Sequence, residues 1–339
     1  MMPEPRADRR TDRRTDAAAC TPPVPWEMRG LCDEVVASGD GVLPVGRPGK
    51  VGVLELSLGV GTDGTTGVTS RFVKAPVQLT RPLYIDTGDP GDPGEAFVYV
   101  RTTGGGLAQN DRVRQCVRLG AGARATLTTQ AATPVHRMNA GLATQWVSID
   151  VADNAVCEYL PGQSILFAGS RLLQVTDVSV ADSGTLLAAE VVLTGRLARG
   201  ERDRYDAFGQ CVRVERAGRP LLSDTLCVTG AGQGRSEMLL SRWPVWGTVL
   251  VVPPVEWAGA GVRELLGSVR ELLVGLCAGV EPPGPTELTA AASTMVGDAG
   301  ITVRVAGEDP VAVRSVVDAV HGHAREAVLG RPAVDLRRM

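Results

Sequence analysis

Hydrophobic and polar residues alternate with a period of two along most of the chain between residues 48 and 255. Such alternation is typical of β-strands that bury one face, because successive side chains point to opposite sides of a strand. Gly, Asp and Pro residues separate the alternating runs at intervals of roughly ten residues. The runs fall at residues 51–58, 96–101, 113–119, 146–151, 172–180, 186–193, 211–215 and 221–228. The pattern predicts a mainly β fold, a many-stranded sandwich, barrel or β-helix-like stack of sheets without helical insertions.

The pattern changes to helical spacing towards the C-terminus. Apolar residues follow the spacing of one helix face over 262–276, and glycine and proline residues come directly after them. We expect a second helix over 285–296, a strand over 301–305 and a final amphipathic helix over 313–324. The fold class is therefore mainly β with a few C-terminal helices.

These patterns divide the chain into three parts. Residues 1–45 include an Arg- and Asp-rich imperfect repeat and few apolar residues, which predicts a disordered N-terminal tail. Residues 46–255 form the predicted β-rich core. Residues 256–339 form a predicted helical and mixed portion that packs on this core.

The composition argues against several classes of partner. The net charge is −3, from 35 basic and 38 acidic residues, so no nucleic-acid partner is expected. The most apolar tract, residues 243–262, is interrupted by prolines and Glu256, which argues against a membrane partner. Seven cysteines occur without Cys-x-x-Cys spacing, and the N-terminus lacks the apolar stretch of a secretory signal. We therefore expect a cytoplasmic protein with reduced thiols.

Motifs for enzymatic chemistry are weak. A Gly-x-Gly-x-x-Gly match at 59–64 precedes β-branched residues rather than the helix that a dinucleotide site requires, so we expect a hairpin turn. The sequence has no P-loop, and Ser164 lacks the second glycine of a nucleophile elbow. An enzyme would need His136 beside a carboxylate and a nucleophile; otherwise His136 is a hydrogen-bonded loop residue. We expect a protein that is not an enzyme.

Polar side chains occupy several positions within or beside the predicted strands. Residues 124–133 contain four threonines and a glutamine, Glu158 and Glu190 interrupt apolar strands, and Asp111 and Glu201 lie near glycine turns. A buried carboxylate is costly unless it is paired, which favours structural ion pairs, loop caps and sheet hydrogen bonds. The alternative is a polar lining of a groove or channel that passes a divalent cation weakly.

The three histidines, His136, His321 and His323, are weak candidates for metal ligands. Residues two apart on a helix lie about 200° apart around its axis, so His321 and His323 cannot both face one ion. The spacing predicts that His323 falls on the apolar face of the last helix and that His321 faces solvent. Separate surface and core histidines are the favoured interpretation.

Six sequence blocks follow one another in a fixed order at residues 52–56, 103–113, 120–133, 158–167, 193–201 and 218–224. Together they resemble the urease accessory protein UreD family, also called UreH. Two departures mark the chain as a divergent member. The family's Gly-Gly-Leu-Val-Gly-Gly-Asp is Gly-Gly-Leu-Ala-Gln-Asn-Asp at 105–111, and its Lys-Val-Tyr-Arg is Pro-Val-His-Arg at 134–137. Beyond residue 230 these motifs match weakly.

The resemblance implies a cytoplasmic, non-enzymatic maturation factor with a β-helix-like fold and a few helices. Members of the family form a complex with UreF and the GTPase UreG, dock on apo-urease and help to insert nickel into its active site. The resemblance further implies a polar tunnel as the nickel route, transient nickel and no tightly bound cofactor. The alternative is a β-rich protein-binding module of the same fold that no longer serves urease.

The resemblance also suggests which residues contribute to an ion conduit or a polar core. The conduit candidates are Asp111, Thr133, Glu190 and Glu201. Their expected hydrogen-bonding neighbours are Thr128, Thr129 and Gln130, and Glu158 is a further candidate for the polar core. Each has a structural alternative, such as a loop cap for Asp111 and an ion pair for Glu201.

Overall fold

The computed structural model describes residues 28–29, 49–85, 94–230, 242–278, 288–334 and 336. Within them, strands run as β1 (Val51–Val60), β2 (Thr66–Lys74), β3 (Val77–Leu79), β4 (Ala96–Thr102), β5 (Arg112–Leu119), β6 (Arg124–Thr129), β7 (Thr133–Val135), β8 (Ala143–Val151), β9 (Val156–Leu160), β10 (Ser164–Leu166), β11 (Arg171–Val180), β12 (Thr185–Leu193), β13 (Ala207–Arg216), β14 (Arg219–Thr229), β15 (Val245–Val252), β16 (Leu288–Thr294) and β17 (Ile301–Gly307). The two helices with described bounds are α1 (Ala260–Ala278) and α2 (Pro310–Leu329).

The strands form two large sheets that pack face to face. The seven-stranded sheet has the order β14-β13-β11-β8-β5-β1-β2. The ten-stranded sheet has the path β16-β17-β15-β12-β9-β6-β4-β3, with β10 beside β12 and β7 beside β10. Apolar side chains from the facing sides of both sheets, such as Leu56, Ile149 and Leu186, form one core between them.

The chain passes alternately between the two sheets through its central part. Strands β4, β6, β9 and β12 are parallel neighbours in the ten-stranded sheet. The intervening strands β5, β8, β11 and β13 are parallel neighbours in the seven-stranded sheet. Each pass therefore adds one strand to each sheet, which confirms the predicted β-helix-like stack.

The helices cover the outer face of the ten-stranded sheet. Residues of α1 and α2, including Val269, Val317 and Val320, pack with Val249 and Val303 in a second buried cluster. Burial of these apolar stripes confirms the amphipathic helices predicted over 262–276 and 313–324. Neither α1 nor α2, nor any other described helix, has the length and apolar content needed to span a bilayer.

One predicted helix is wrong. Part of the segment 285–296 forms strand β16, Leu288–Thr294, which pairs antiparallel with β17 along its whole length. The alanines at its centre favour a helix by only a fraction of a kcal/mol each, so a complete ladder of backbone hydrogen bonds with β17 outweighs that preference.

Most of the predicted N-terminal tail, residues 1–45, lies outside the described residues. Met28 and Arg29 are the exceptions, and Met28 is fully buried. It packs on the outer face of the seven-stranded sheet against Trp146, Leu173 and Val175. This part of the N-terminal segment therefore shields an apolar patch that the sheet would otherwise expose.

Candidate functional site

A row of glutamines crosses the inner face of the seven-stranded sheet. Gln145 on β8 is in register with Gln174 on β11, and Gln174 is in register with Gln210 on β13. Gln115 on β5 lies beside Val147, two residues further along β8 than Gln145. Because side chains in register share one face of a sheet, all four amides point towards the ten-stranded sheet.

Glu190 meets this row from the ten-stranded sheet. Its Oε1 accepts a hydrogen bond from Gln174 Nε2 at 3.1 Å, and its Oε2 accepts one from Gln210 Nε2 at 2.9 Å. The residue as a whole is half-buried, and its carboxyl group lies between the two sheets, where amides of the opposite sheet bind it. Burial raises the pKa of Glu190 from 4.5 to about 7, and the two amide hydrogen bonds only partly oppose this effect.

A narrow cavity opens beside Glu190 and the glutamines. The space in it that the centre of a water-sized sphere can occupy is about 20 Å³, which is room for about one water molecule. Gln174 Oε1 in its wall is buried and has no hydrogen-bond partner among the described residues. A buried polar atom of this kind calls for a water molecule or an ion. The polar residues of the lining are Gln115, Thr128, Thr129, Thr133, Gln145, Tyr159, Ser164, Gln174 and Glu190.

The cavity is separated from a surface depression by a thin wall at Thr129 and Gly162. Both spaces are lined by Thr128, Thr129, Pro161 and Gly162. The Gly162 N–H donates to Thr129 Oγ1 at 2.8 Å, and Thr129 Oγ1 donates to the Ala131 carbonyl oxygen at 2.8 Å. A Cβ atom at Gly162 would lie 2.6 Å from that carbonyl oxygen and 2.7 Å from Thr129 Oγ1, so only glycine fits this wall.

The structure brings half of the sequence-predicted polar residues to this cavity. Thr128, Thr129, Thr133 and Glu190 line it. Gln130 is exposed and accepts a hydrogen bond from Arg101 instead. The threonine-rich segment is therefore split, since β6 ends at Thr129 and β7 begins at Thr133.

Glu158 lies on the opposite face of the ten-stranded sheet, beneath α2. Its Oε1 accepts from Arg325 Nε at 2.7 Å, and its Oε2 lies 2.7 Å from His321 Nε2. Arg325 also binds Glu95 through Nη2 at 2.7 Å. Burial alone would raise the pKa of Glu158, but its contacts with His321 and Arg325 hold it below the usual range. This buried network joins helix α2 to the sheet.

The predicted orientation of His321 is wrong. His321 is buried against Glu158 rather than exposed, whereas His323 is half-buried and lies 2.8 Å from Ser268 Oγ on α1. The expected angular separation of the two histidines holds, since they contact different elements. Helix α2 packs on the sheet and also beside α1, so both of these faces are covered.

Asp111 and Glu201 stabilise loops. Asp111 accepts backbone N–H bonds from Lys50 and Ala108, both at 2.8 Å. Glu201 accepts from Arg196 Nε at 2.9 Å and from the Ala168 N–H at 2.7 Å. Burial alone would raise the pKa of Glu201, but these bonds and the charge of Arg196 lower it. Asp111 is therefore a loop cap and Glu201 is in an ion pair, which are the structural alternatives to a place in the ion conduit.

His136 lies in a separate loop contact. Its Nε2 is 2.9 Å from the Gly105 carbonyl oxygen, and its ring packs edge-on against Phe167 with 5.2 Å between ring centroids. In the part of the chain that the structure describes, no group of three His, Cys, Asp or Glu side chains is placed to hold a metal ion. The polar cavity at Glu190 is therefore the candidate functional site.

Comparison with protein families decides the identity of this fold. The family model described as "UreD urease accessory protein" matches residues 50–338. The chain belongs to the UreD family of urease accessory proteins. The match includes the region beyond residue 230, where the sequence motifs were weak, and it begins after most of the predicted tail.

Several UreD proteins are similar to this chain over nearly their whole length. Urease accessory protein UreD 2 of Streptomyces griseus is 34% identical over 310 residues, covering 89% of this chain and 99% of the relative. UreD of Cenarchaeum symbiosum is 31% identical over 88% of this chain and 99% of the relative. UreD of Haloarcula marismortui is 31% identical over 87% and 92%, respectively.

The glutamines of the cavity were not among the residues singled out from the sequence, although their regular spacing in this UreD chain could have indicated them. Gln115, Gln145, Gln174 and Gln210 recur at intervals of about 30 to 36 residues, close to the length of one pass through both sheets. A single glutamine in an apolar strand suggests nothing specific. The repetition at one inward position per pass indicates a continuous polar layer.

Proposed function

We propose that this UreD-family chain is a scaffold for urease maturation that acts with UreF and the GTPase UreG, docks on apo-urease and helps to insert nickel. Family membership and the names of the relatives support a role as a urease accessory protein. In this proposal the chain is a cytoplasmic protein without catalytic activity or a tightly bound cofactor. Nickel is its transient cargo.

The observation that carries the proposal is the enclosed Glu190 carboxyl within a row of amides. Two of the amides hold the carboxyl in place, at 2.9 and 3.1 Å, and leave Gln174 Oε1 unpartnered towards the cavity among the described residues. Carboxylate and amide oxygens both coordinate divalent cations. The cavity therefore offers a cation several oxygen atoms between the two sheets.

The chemistry of these oxygens suits passage rather than storage. Nickel binds imidazole and thiolate ligands more tightly than neutral amide or hydroxyl oxygens. One carboxylate with amide and hydroxyl neighbours therefore holds the ion weakly, and the ion can be released to a better ligand set. We infer that the cavity is a segment of the nickel route.

Proton exchange at Glu190 supports the same role. Because burial raises its pKa to about 7, the carboxyl is partly protonated near neutral pH. The site therefore rests without a permanent buried charge, and an arriving cation displaces the proton. A carboxyl that stayed fully ionised would hold a cation more strongly and release it more slowly.

Substitution of Glu190 tests the proposal. Glu190→Leu removes the carboxylate without adding bulk, whereas Glu215→Leu is a matched control on the exposed outer face of β13. We expect Glu190→Leu to lower the nickel content and activity of urease matured with this protein at least several-fold, while Glu215→Leu leaves both unchanged. Normal nickel content with folded Glu190→Leu protein would contradict the conduit.

Deletion of the whole chain tests the broader role. Urease subunits should then accumulate as a nickel-free, inactive protein. Normal nickel loading in the deletion strain would instead favour a binding module that does not serve urease.

A further inference from the structure

Polar side chains continue beyond Glu190 on the inner face of the ten-stranded sheet. Glu190 on β12 is in register with Thr248 on β15, and Thr248 is in register with Arg304 on β17. Ala306, two residues beyond Arg304, packs against the core between the sheets, so this face of β17 points inward. The three side chains therefore form a row that leads from the cavity towards the β16 edge of the sheet.

Arg304 is paired with a carboxylate across the gap between the sheets. Its guanidinium donates to Asp224 Oδ2, and Asp224 lies on β14, the edge strand of the seven-stranded sheet. Leu226 is in register with Gln210, so Asp224, two residues away, shares the inward face of Gln210. The Arg304 and Asp224 side chains are 45% and 29% exposed, which places the pair between the polar row and solvent.

The pair and the Glu190 carboxyl share the space between the two sheets. Burial is the main cause of the raised pKa of Glu190, and the negative charge of Asp224 acts in the same direction. The side chains that bind the Glu190 carboxyl, Gln174 and Gln210, are neutral amides. Tyr159, on the adjacent strand, stays neutral because burial and the charge of Glu190 raise its pKa well above 10. Asp224 is thus a charged group on the opposite sheet, on the same inward face as the Gln210 that binds Glu190.

We propose that the Asp224–Arg304 ion pair closes the far end of this polar row and regulates the passage of a divalent cation between Glu190 and solvent. The inference rests on the proposed function, because it assigns a second opening to the same route. When the pair is closed, the guanidinium neutralises Asp224 and repels a cation. When it opens, the Asp224 carboxylate is free to attract one.

The exposure of the pair makes opening feasible. Water competes for partly exposed charges and screens them, so such pairs are weakly held. The buried network of Glu95, Glu158 and Arg325 differs, because its side chains are nearly inaccessible to solvent. A movable contact is therefore expected at Asp224 and a fixed one beneath α2.

Substituting each residue of the pair separately distinguishes a structural role of the pair from a regulatory one, because the two roles predict different changes in the rate of nickel loading. Asp224→Asn and Arg304→Gln each break the same ion pair, so a purely structural role predicts the same direction of change. Regulation of a cation predicts opposite directions. Arg304→Gln leaves a carboxylate at the opening and should raise the initial rate of nickel loading into urease several-fold, whereas Asp224→Asn leaves a guanidinium and should lower it several-fold.

The controls separate this inference from the proposed function. Arg263→Gln on α1 breaks a comparably exposed pair with Asp298 and should not change the loading rate. The exchanged pair Asp224→Arg with Arg304→Asp should restore a rate near that of the wild type. If Glu190→Leu lowers nickel loading while both single variants change it in the same direction or not at all, the closure is refuted and the proposed function stands.

A measurement on the purified chain does not depend on urease. Titration of the Glu190 carboxyl by NMR should show a lower pKa in Asp224→Asn, because a nearby negative charge has been removed. It should show a higher pKa in Arg304→Gln, where a positive charge has been removed. An unchanged titration in both variants would mean that the pair is too distant to act on the route, and would overturn the inference.

Discussion

Replacement of Glu190 with glutamine should stabilise the protein above neutral pH and have little effect on its stability at acidic pH. Glutamine keeps the shape of the protonated carboxyl and remains uncharged at every pH. The wild-type side chain must either retain a proton or place a negative charge between the sheets. The cost of that charge is the origin of its raised pKa, about 7 compared with 4.5.

The magnitude follows from the linkage between protonation and unfolding. Each pH unit between the two pKa values corresponds to about 1.4 kcal/mol, so the difference between 4.5 and about 7 corresponds to roughly 3 kcal/mol. The folded state binds the proton more tightly than the unfolded state. The contribution of Glu190 to stability is therefore fully present below pH 4.5 and is lost as the pH rises through about 7.

Thermal unfolding of the two proteins across this range is the appropriate assay. Glu190→Gln and wild type should have similar melting temperatures at about pH 5, and the variant should melt several degrees higher at about pH 8. Glu201→Gln provides a control of opposite sign. Hydrogen bonds lower the pKa of Glu201, so its removal should destabilise the protein at neutral pH, and the loss should shrink on acidification.

A constant difference between Glu190→Gln and wild type at all pH values would refute the reasoning. It would mean that the carboxyl titrates in the folded protein as it does in the unfolded chain. The enclosed position of the group would then be contradicted, together with its role as a proton-exchanging cation ligand.

Two further predictions concern the scaffold around the cavity. Arg325→Met should destabilise the protein by about 3–5 kcal/mol, because it removes the guanidinium that two buried carboxylates share. Arg263→Met, at an exposed pair, should cost less than about 1 kcal/mol. Similar losses for the two variants in denaturant unfolding would contradict a buried network. Gly162→Ala should lower both nickel loading and stability, because the added Cβ has no room. The control Gly267→Ala in α1 meets no atom within 4 Å and should stabilise the helix by about 1 kcal/mol. An unaffected Gly162→Ala protein would show that the wall at Thr129 can move to accept the Cβ.

Local periodicity was sufficient to predict most elements of this fold. The alternation of Val51–Val60 predicted a strand because one of its faces is buried, and the stripes of α1 and α2 predicted helices for the same reason. The segment Leu288–Thr294 was missed because its short alanine run has no strong period of its own. Its conformation depends on pairing with β17, which lies outside any local window.

The candidate site was only partly predictable. The resemblance to UreD proteins pointed to Glu190 and the threonines at the end of β6, but it gave no means of separating them from Asp111 and Glu201, which stabilise loops. The partners of Glu158 lie 163 and 167 residues away on α2, at His321 and Arg325. Contacts at that separation leave no trace in the spacing of a strand.

The sequence by itself determined that this is a mainly β protein of the UreD family with inward polar positions on several strands. Side-chain alternation and family motifs are properties of short segments, so they can be recognised without knowing which other segments pack against them. Only the tertiary structure decided which polar groups share one space. Parallel stacking places residues of successive passes in register, so Gln145, Gln174 and Gln210 converge on Glu190, while Glu158 faces the helices and Asp224 meets Arg304 at the open side.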